Sequence, residues 1–315
     1  MSRVRRLAGF VQHMFPPAVM VPAGLGGFAA LWFGVAALAV DGPLPLGWRA
    51  GLGAASLTLF TFLLRVYDEL KDAETDVRLG RAGDPRYKDR PIVTGAVLIE
   101  DIRALRWWVT GLLFAVNAPL ATDPTSGAAF AVAFGMTWLS FKWFFWPAVS
   151  RNLLLAFATH NPLSLVLGCY VAALFVGEHG TAGLRWGEVS LLLFGLWMPV
   201  AAWETSRKIR LPQDETDYQT YSKMLGWRVA AVLPAVFVAA SAASLVPVVL
   251  ATGLGRGHAA GLIAAALVPV GATALLQVAP TSGRTNLRPY CELYALVCNV
   301  GLAVSLAVDR GITLE

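Results

Sequence analysis

The chain has 315 residues, of which 57% are hydrophobic and only 14% are charged. Soluble globular domains contain about 25% charged residues, so this composition excludes an ordinary soluble protein and indicates an integral membrane protein. The net charge of +5 does not indicate a nucleic-acid partner, because the basic residues are mixed with acids near the ends of apolar segments.

Nine segments are apolar over about 20 residues, the length that a helix needs to cross a bilayer. We therefore expect an all-α, polytopic protein of about nine spans that forms a single transmembrane domain over residues 1–315. In chain order the segments lie near Ala18–Val40, Trp48–Val66, Ala104–Thr122, Ser126–Phe145, Asn152–Val176, Glu188–Trp203, Trp227–Leu250, Gly257–Val278 and Leu287–Val308.

The basic residues are distributed unevenly between the two sides of this array. If the N-terminus is cytoplasmic, all but five of the 25 Lys and Arg residues fall in cytoplasmic segments. Cytoplasmic connections accumulate positive charge because such charge is costly to translocate. The sequence therefore predicts a multi-pass protein of the cell (inner) membrane, surrounded by lipid, with its N-terminus and its charged connections in the cytoplasm.

The connection after the second span contains three aspartates at four-residue spacing, Asp68, Asp72 and Asp76. On a helix these residues face one side, where their like charges repel one another. A divalent cation would relieve the repulsion, and Mg²⁺ prefers such oxygen ligands. The alternative is a solvated acidic helix paired with Lys71 and Arg78, although acids at a membrane edge are usually functional.

Basic residues near these aspartates are candidate ligands for phosphate. Arg65 precedes them at the end of the span, and Arg90 lies in the downstream stretch Arg-Pro-Ile-Val-Thr-Gly. Arg90 either binds phosphate oxygens or anchors the chain at the cytoplasmic face. Lys142, near the end of the fourth span, either reaches phosphate or extends its ammonium to the interface.

The fifth span contains polar residues at Thr159-His160-Asn161-Pro162. Pro162 predicts a kink in this helix. His160 or Asn161 either faces a cavity and contacts a second substrate, or satisfies the backbone of the kinked helix. The sequence alone leaves both roles open.

The connection after the sixth span carries a second charged cluster that begins at Glu204. Facing the first cluster, it would complete a two-sided clamp for metal and phosphate, and Glu204 lies at the membrane edge. Pro212 predicts the end of that helix, and Asp214 and Asp217 are then either metal ligands or first-turn residues of the next helix. Arg207 and Lys208 are further candidate phosphate ligands. The repeated pattern of an aromatic residue followed by an acid predicts two related halves, 1–125 and 126–250, before the C-terminal helices 251–315.

The clusters resemble those of the UbiA superfamily of intramembrane prenyltransferases, and the resemblance covers nearly the whole chain. That family has an Asn/Asp-x-x-x-Asp-x-x-x-Asp pattern after helix two, followed by Arg-Pro-x-x-x-Gly. The matching residues are Asp68, Asp72 and Asp76, then Arg90, Pro91 and Gly95. In the second Asp-rich motif, after helix six, Glu204 fits the first position but Lys208 replaces the next acid.

The resemblance implies a helical bundle around a central cavity, in which Mg²⁺ holds an allylic prenyl diphosphate. The implied metal ligands are Asp68, Asp72, Asp76, Glu204, Asp214 and Asp217. Tyr67 and Tyr221 are candidates for the cavity wall or for acceptor contacts. The prenyl group would pass to an aromatic, quinone-like or other lipophilic acceptor. The altered second motif leaves open a membrane terpene cyclase that needs no acceptor. A transporter is less favoured, because the acids lie at helix ends on one face.

Overall fold

A computed structural model describes residues 2–83, 87–143, 145–216 and 218–315. These residues form fourteen α-helices, three short 3₁₀ helices, one π-helical segment and two short strands. The helices are α1 (Arg3–Met14), α2 (Pro17–Ala37), α3 (Trp48–Arg81), α4 (Ile99–Asn117), α5 (Pro124–Trp143), α6 (Pro147–Ser150), α7 (Leu153–His160), α8 (Leu163–His179), α9 (Trp186–Ser206), α10 (Tyr221–Leu225), α11 (Trp227–Ala251), α12 (Gly255–Val278), α13 (Arg288–Leu296) and α14 (Leu302–Arg310). The strands are β1 (Leu44–Leu46) and β2 (Ile312–Leu314).

Within the described ranges, seven helical stretches are long and apolar enough to cross a membrane. They are Pro17–Ala37, Trp48–Arg81, Leu153–His179, Trp186–Ser206, Trp227–Ala251, Gly255–Val278 and Ser282–Arg310. The prediction of an all-α, multi-pass integral membrane protein is confirmed. The helices α4 and α5 form at two further predicted positions but are less apolar, since the first half of α4 contains four charged residues and α5 begins with Pro-Thr-Ser.

The core of the bundle forms around α2, which packs against α3, α8, α9 and α14, while α11 packs between α9 and α12. The contact between α9 and α11 depends on a small residue. A Cβ atom at Gly195 would lie 2.6 Å from Cγ of Leu245, so any larger residue would push these helices apart. Close approach at small residues is how membrane helices gain van der Waals contact without a hydrophobic driving force.

Two helices depart from their predicted course, for identifiable reasons. The fifth span breaks at Asn161 and Pro162, as predicted, because proline has no N–H and its ring crowds the preceding turn. The prediction that α9 runs to Pro212 and that Asp214 opens a new helix is wrong. The helix already ends at Ser206, where the hydroxyls of Thr205 and Ser206 donate to carbonyls of the last turn and compete with its backbone N–H groups. Pro212–Asp214 forms a single 3₁₀ turn instead.

The end of the bundle that carries Asp68, Asp72 and Glu204 is named here the Asp-rich end. At the opposite end, β1 and β2 form a short parallel pair in which Leu44 lies opposite Ile312. Arg310 donates to the carbonyl oxygen of Gly42 at 3.1 Å and so holds the two segments together. This pair is a departure from the expected all-helical structure, and it fastens the C-terminus to the connection between α2 and α3.

Helix α1 lies against the Asp-rich end and is held there by a buried carboxylate. Nε of Arg6 is 2.6 Å from Oδ2 of Asp101, and Nε of Arg3 is 3.1 Å from its Oδ1. The apolar side of α1 buries Phe10 with Val66 and Ile102. The hydrogen bond from Arg6 lowers the pKa of Asp101 to about 2. Because this pKa is lowered in the folded state, the stabilisation is complete at neutral pH and is lost only as the pH falls from about 4 toward 2.

Replacing this carboxylate tests how α1 is attached. The variant Asp101→Asn leaves two guanidinium groups without their counter-charge and should cost about 1–2 kcal/mol, seen as a lower midpoint of thermal unfolding in detergent. Glu100→Gln is the matched control, because Glu100 forms only an exposed pair with Arg103 at 3.8 Å and its loss should shift the midpoint little. Equal midpoints for the two variants would contradict this attachment.

Candidate active site

The first two aspartates of α3 share one ammonium group. Nζ of Lys71 lies 3.3 Å from Oδ1 of Asp68 and 3.7 Å from Oδ1 of Asp72. The side chains of the two aspartates remain 47% and 46% exposed, so each keeps carboxylate oxygen surface open to solvent. The repulsion expected from their spacing is therefore relieved by a cation of the same helix, and both carboxylates stay accessible.

The third aspartate has a different environment. The Asp76 side chain is 2% exposed and pairs with Arg90, from the loop that follows α3. The guanidinium of Arg90 also lies over the ring of Tyr87, 4.8 Å from its centroid. The loop can approach α3 closely because residue 80 is glycine, where a Cβ atom would lie 2.5 Å from Cγ1 of Val93. Asp76 thus positions Arg90 and offers little surface to a metal.

One buried acid next to the three aspartates of α3 was not predicted from the sequence. Glu69 is 1% exposed and pairs with Arg65 one helical turn earlier, and its charge also interacts with Arg90, Asp72 and Asp76. The spacing of four residues between Arg65 and Glu69 was a usable signal for this pair. The predicted phosphate ligand Arg65 is therefore engaged with Glu69.

The second cluster lies within electrostatic range of the first. Glu204, on the last turn of α9, accepts a hydrogen bond from Nη2 of Arg207 at 2.7 Å, and its other oxygen lies 2.7 Å from Nζ of Lys208. Its carboxylate also attracts the Lys71 ammonium, together with Asp68 and Asp72. The charge of Glu204 thus acts on the side of α3 that carries Asp68 and Asp72.

Tyr221 lies next to Glu204 and is 1% exposed. Its ring lies beneath the ammonium of Lys208, 5.9 Å from the centroid, and makes an edge contact with Phe157 of α7. Within the part of the chain that the structure describes, its hydroxyl has no hydrogen-bond partner. Burial, reinforced by the nearby Glu204 carboxylate, raises the pKa of this phenol, so it remains a hydrogen-bond donor at neutral pH.

Three predicted cavity residues make structural contacts. Tyr67 is 5% exposed and stacks on Phe141, with ring centroids 4.3 Å apart. The two ring nitrogens of His160 lie 2.7 Å from the carbonyl oxygens of Ala156 and Ser140, which ties α7 to α5. Oδ1 of Asn161 accepts a hydrogen bond from Trp197 at 2.7 Å, which ties the kink to α9. His160 is also close enough to interact with the charges of Lys71 and Asp68.

Two other predicted residues lie apart from this cluster. Lys142 is exposed at the end of α5, where its ammonium lies over the rings of Trp138 and Phe141. Asp214 lines a polar pocket of about 250 Å³ together with Arg207 and Arg210, and Arg207 connects this pocket to Glu204. Asp217 lies outside the described residues.

The donor set can be compared with the needs of Mg²⁺. Among the side chains that the structure describes, no three Asp, Glu, His or Cys residues are grouped to hold a metal ion by themselves. Mg²⁺ does not require such a group, since it usually binds one or two carboxylates and completes its shell with water and substrate phosphate. Asp68 and Asp72 fit this need, because nearly half of each side chain is exposed, whereas Asp76 is buried and Glu204 is held by two basic side chains.

Comparison with solved structures identifies the fold. The chain aligns with the apo structure of a UbiA homolog from Aeropyrum pernix K1 at a TM-score of 0.63 and 22% identity, over 90% of this chain and 97% of that one. It aligns with a structure reported for digeranylgeranylglyceryl phosphate synthase in membranes at a TM-score of 0.58 and 13% identity, over 97% and 99% of the two chains. No family model and no curated protein matches the sequence. The predicted UbiA-type fold is confirmed.

Removing the ammonium tests whether Asp68 and Asp72 form a cation site. The variant Lys71→Met should bind Mg²⁺ on the order of tenfold more tightly in calorimetric titration, because a positive charge within 4 Å of both carboxylates is lost. Lys88→Met removes an exposed lysine of the following loop and should leave the affinity unchanged. Unchanged or weaker binding by the Lys71 variant would place the ion elsewhere.

Proposed function

We propose that the chain is a Mg²⁺-dependent intramembrane prenyltransferase, which moves a prenyl group from an allylic prenyl diphosphate to an aromatic, quinone-like or other lipophilic acceptor. The observation that carries this proposal is that Asp68 and Asp72 stay accessible beside Lys71, with Glu204 close enough to act on the same ammonium, at one end of a UbiA-type bundle. The uneven distribution of basic residues supports placing this end at the cytoplasmic face of the cell membrane.

The basic side chains of the Asp-rich end would bind the diphosphate. Asp68 and Asp72 would hold Mg²⁺, which when bound supplies positive charge to the leaving diphosphate. Lys71, released from its two aspartates, has a flexible side chain with three donors for phosphate oxygens. Arg90 is already fixed by Asp76 and Tyr87, so less conformational freedom is lost when it donates to phosphate.

The hydroxyl of Tyr221 would supply a further hydrogen-bond donor for the diphosphate. A buried hydroxyl without a partner costs about 1–3 kcal/mol, and a diphosphate oxygen within reach would remove that cost. Glu204 lies close to this phenol. A diphosphate that accepts a hydrogen bond from Tyr221 would therefore lie between the first and the second charged cluster.

The reaction breaks the allylic C–O bond, and its electron pair leaves with the diphosphate. The resulting cation needs protection from water, which the apolar core of the bundle provides. Among the aromatic rings near the Asp-rich end, the ring of Phe157 is only partly buried, and an accessible ring face stabilises positive charge. An electron-rich carbon of the acceptor then forms the new bond, and its proton passes to the released diphosphate or to solvent.

A membrane terpene cyclase is the second candidate. One observation favours it: Glu204, the first acid of the second cluster, is already neutralised by Arg207 and Lys208, so this residue has little capacity for another metal. A cyclase would use the same ionisation step and join the cation to a double bond of its own chain, without an acceptor. The two functions therefore differ in their products.

A product assay distinguishes the two functions and tests the site. Purified protein is incubated with geranyl, farnesyl or geranylgeranyl diphosphate and Mg²⁺, with and without an aromatic acceptor. Transfer predicts a prenylated acceptor only when the acceptor is present, whereas terpene hydrocarbons or alcohols without an acceptor would identify a cyclase. Absence of diphosphate release under every condition would refute both.

The same assay, applied to variants on opposite faces of α3, tests the role of Asp72. Asp72→Asn should lower Mg²⁺-dependent turnover by about 100-fold or more while the protein still purifies as a folded species, because a charged ligand is lost at the leaving group. Glu74→Gln is the matched control, an exposed acid on the same helix that faces away from Asp72. Retained turnover in the Asp72 variant would remove Asp72 from the site.

A further inference from the structure

A groove lies behind the Asp-rich end, on the face of α3 turned away from Asp68 and Asp72. Its volume is about 760 Å³, and it runs between α3, the loop that carries Arg90 and the start of α4. Val77 and Arg81 of α3 line it, and at about 100° per residue they lie roughly 140° and 180° around the helix from Asp72. The proposed active site does not use this surface.

The walls of the groove combine apolar surface with arginine side chains. Val77, Ile92 and Leu98 supply the apolar part, and Arg78, Arg81 and Arg103 supply the charge. Two acids also line the groove: Glu100 pairs with Arg103 at 3.8 Å, and Glu74 is exposed. Arg78 and Arg81 make no ion pair with any residue that the structure describes, so their guanidinium groups are available to an anion.

The position of the groove along α4 relates it to the membrane surface. Trp107 is 65% exposed and Phe114 is 48% exposed, and both share one stripe of α4 with Arg103. Exposed tryptophans of membrane helices lie at the level of the lipid headgroups. Arg103 lies one turn beyond Trp107, about 6 Å further from the bilayer centre. The groove therefore lies at the depth of the lipid phosphate groups. The apolar stripe on α4 extends from the groove into the hydrocarbon region of the bilayer.

We propose that this groove binds an anionic phospholipid, with its phosphate held by Arg78 and Arg81 and an acyl chain lying along the Trp107 and Phe114 stripe of α4. Arginine presents paired donors that match phosphate oxygens, and the apolar walls exclude water from the contact. The bound lipid would contact Ile92, two residues from Arg90. It would thereby stabilise the loop that the pair of Asp76 with Arg90 holds against α3.

The test measures lipid binding to the full chain in detergent, from the rise in the thermal unfolding midpoint as short-chain lipid is added. The probes are dioctanoyl phosphatidylglycerol, dioctanoyl phosphatidylcholine and glycerol 3-phosphate. Phosphatidylglycerol should raise the midpoint of the wild type at lower concentration than phosphatidylcholine. Glycerol 3-phosphate should have little effect, because it has no acyl chain. Equal effects of the two lipids, or full stabilisation by glycerol 3-phosphate, would overturn the proposal.

Variants locate the effect on the chain. Each basic residue near an anionic headgroup contributes about a fivefold gain in affinity, so Arg78→Gln with Arg81→Gln should need roughly 25-fold more phosphatidylglycerol for the same shift. Arg151→Gln with Arg228→Gln removes the same charge from exposed positions outside the groove and should respond like the wild type. If the double groove variant does not purify as a folded protein, Arg81→Gln alone, with a fivefold loss, decides the question. An unchanged response of the groove variant would contradict the site.

Discussion

The ammonium group of Lys71 balances the two accessible carboxylates of the Asp-rich end. Lys71 pairs with Asp68 and Asp72 on its own helix, and the charge of Glu204 on α9 adds a smaller attraction to the same ammonium. At the edge of a low-dielectric bundle, unbalanced carboxylates would be costly. Because a lysine side chain has four rotatable carbon–carbon bonds, its ammonium can be exchanged for another cation without rebuilding the helices.

Two other ion pairs of this end are buried and do not suit exchange of one cation for another. Arg65 pairs with the buried Glu69, and Arg90 pairs with the buried Asp76, in each case through a guanidinium group. Truncating one partner of a buried pair is strongly destabilising, so such pairs suit positioning better than ligand exchange. The three aspartates therefore differ in exposure and in partner. Asp68 and Asp72 are accessible and share Lys71, whereas Asp76 is buried and positions Arg90. In the proposed function, this division places the metal on the first pair and the phosphate donor on the third.

The sequence predicted the helical membrane architecture and the two clusters because both follow from local patterns, namely apolar length and four-residue spacing. It did not predict which acids are buried, since burial of Glu69 and Asp76 depends on Arg65 and on a loop that docks at Gly80. The early end of α9 at Ser206 was missed because hydroxyl competition for carbonyls depends on side-chain rotamers. The roles of His160 and Asn161 were left open until their partners on α5 and α9 were known.

The most direct test of this account is an experimental structure with Mg²⁺ and a non-reactive thio analogue of a prenyl diphosphate. The account predicts an ion bound by Asp68 and Asp72, with the Lys71 ammonium moved from these carboxylates to a phosphate oxygen and the pair of Asp76 with Arg90 intact. An ion bound by Asp76 or Asp214, with Lys71 still between Asp68 and Asp72, would contradict it.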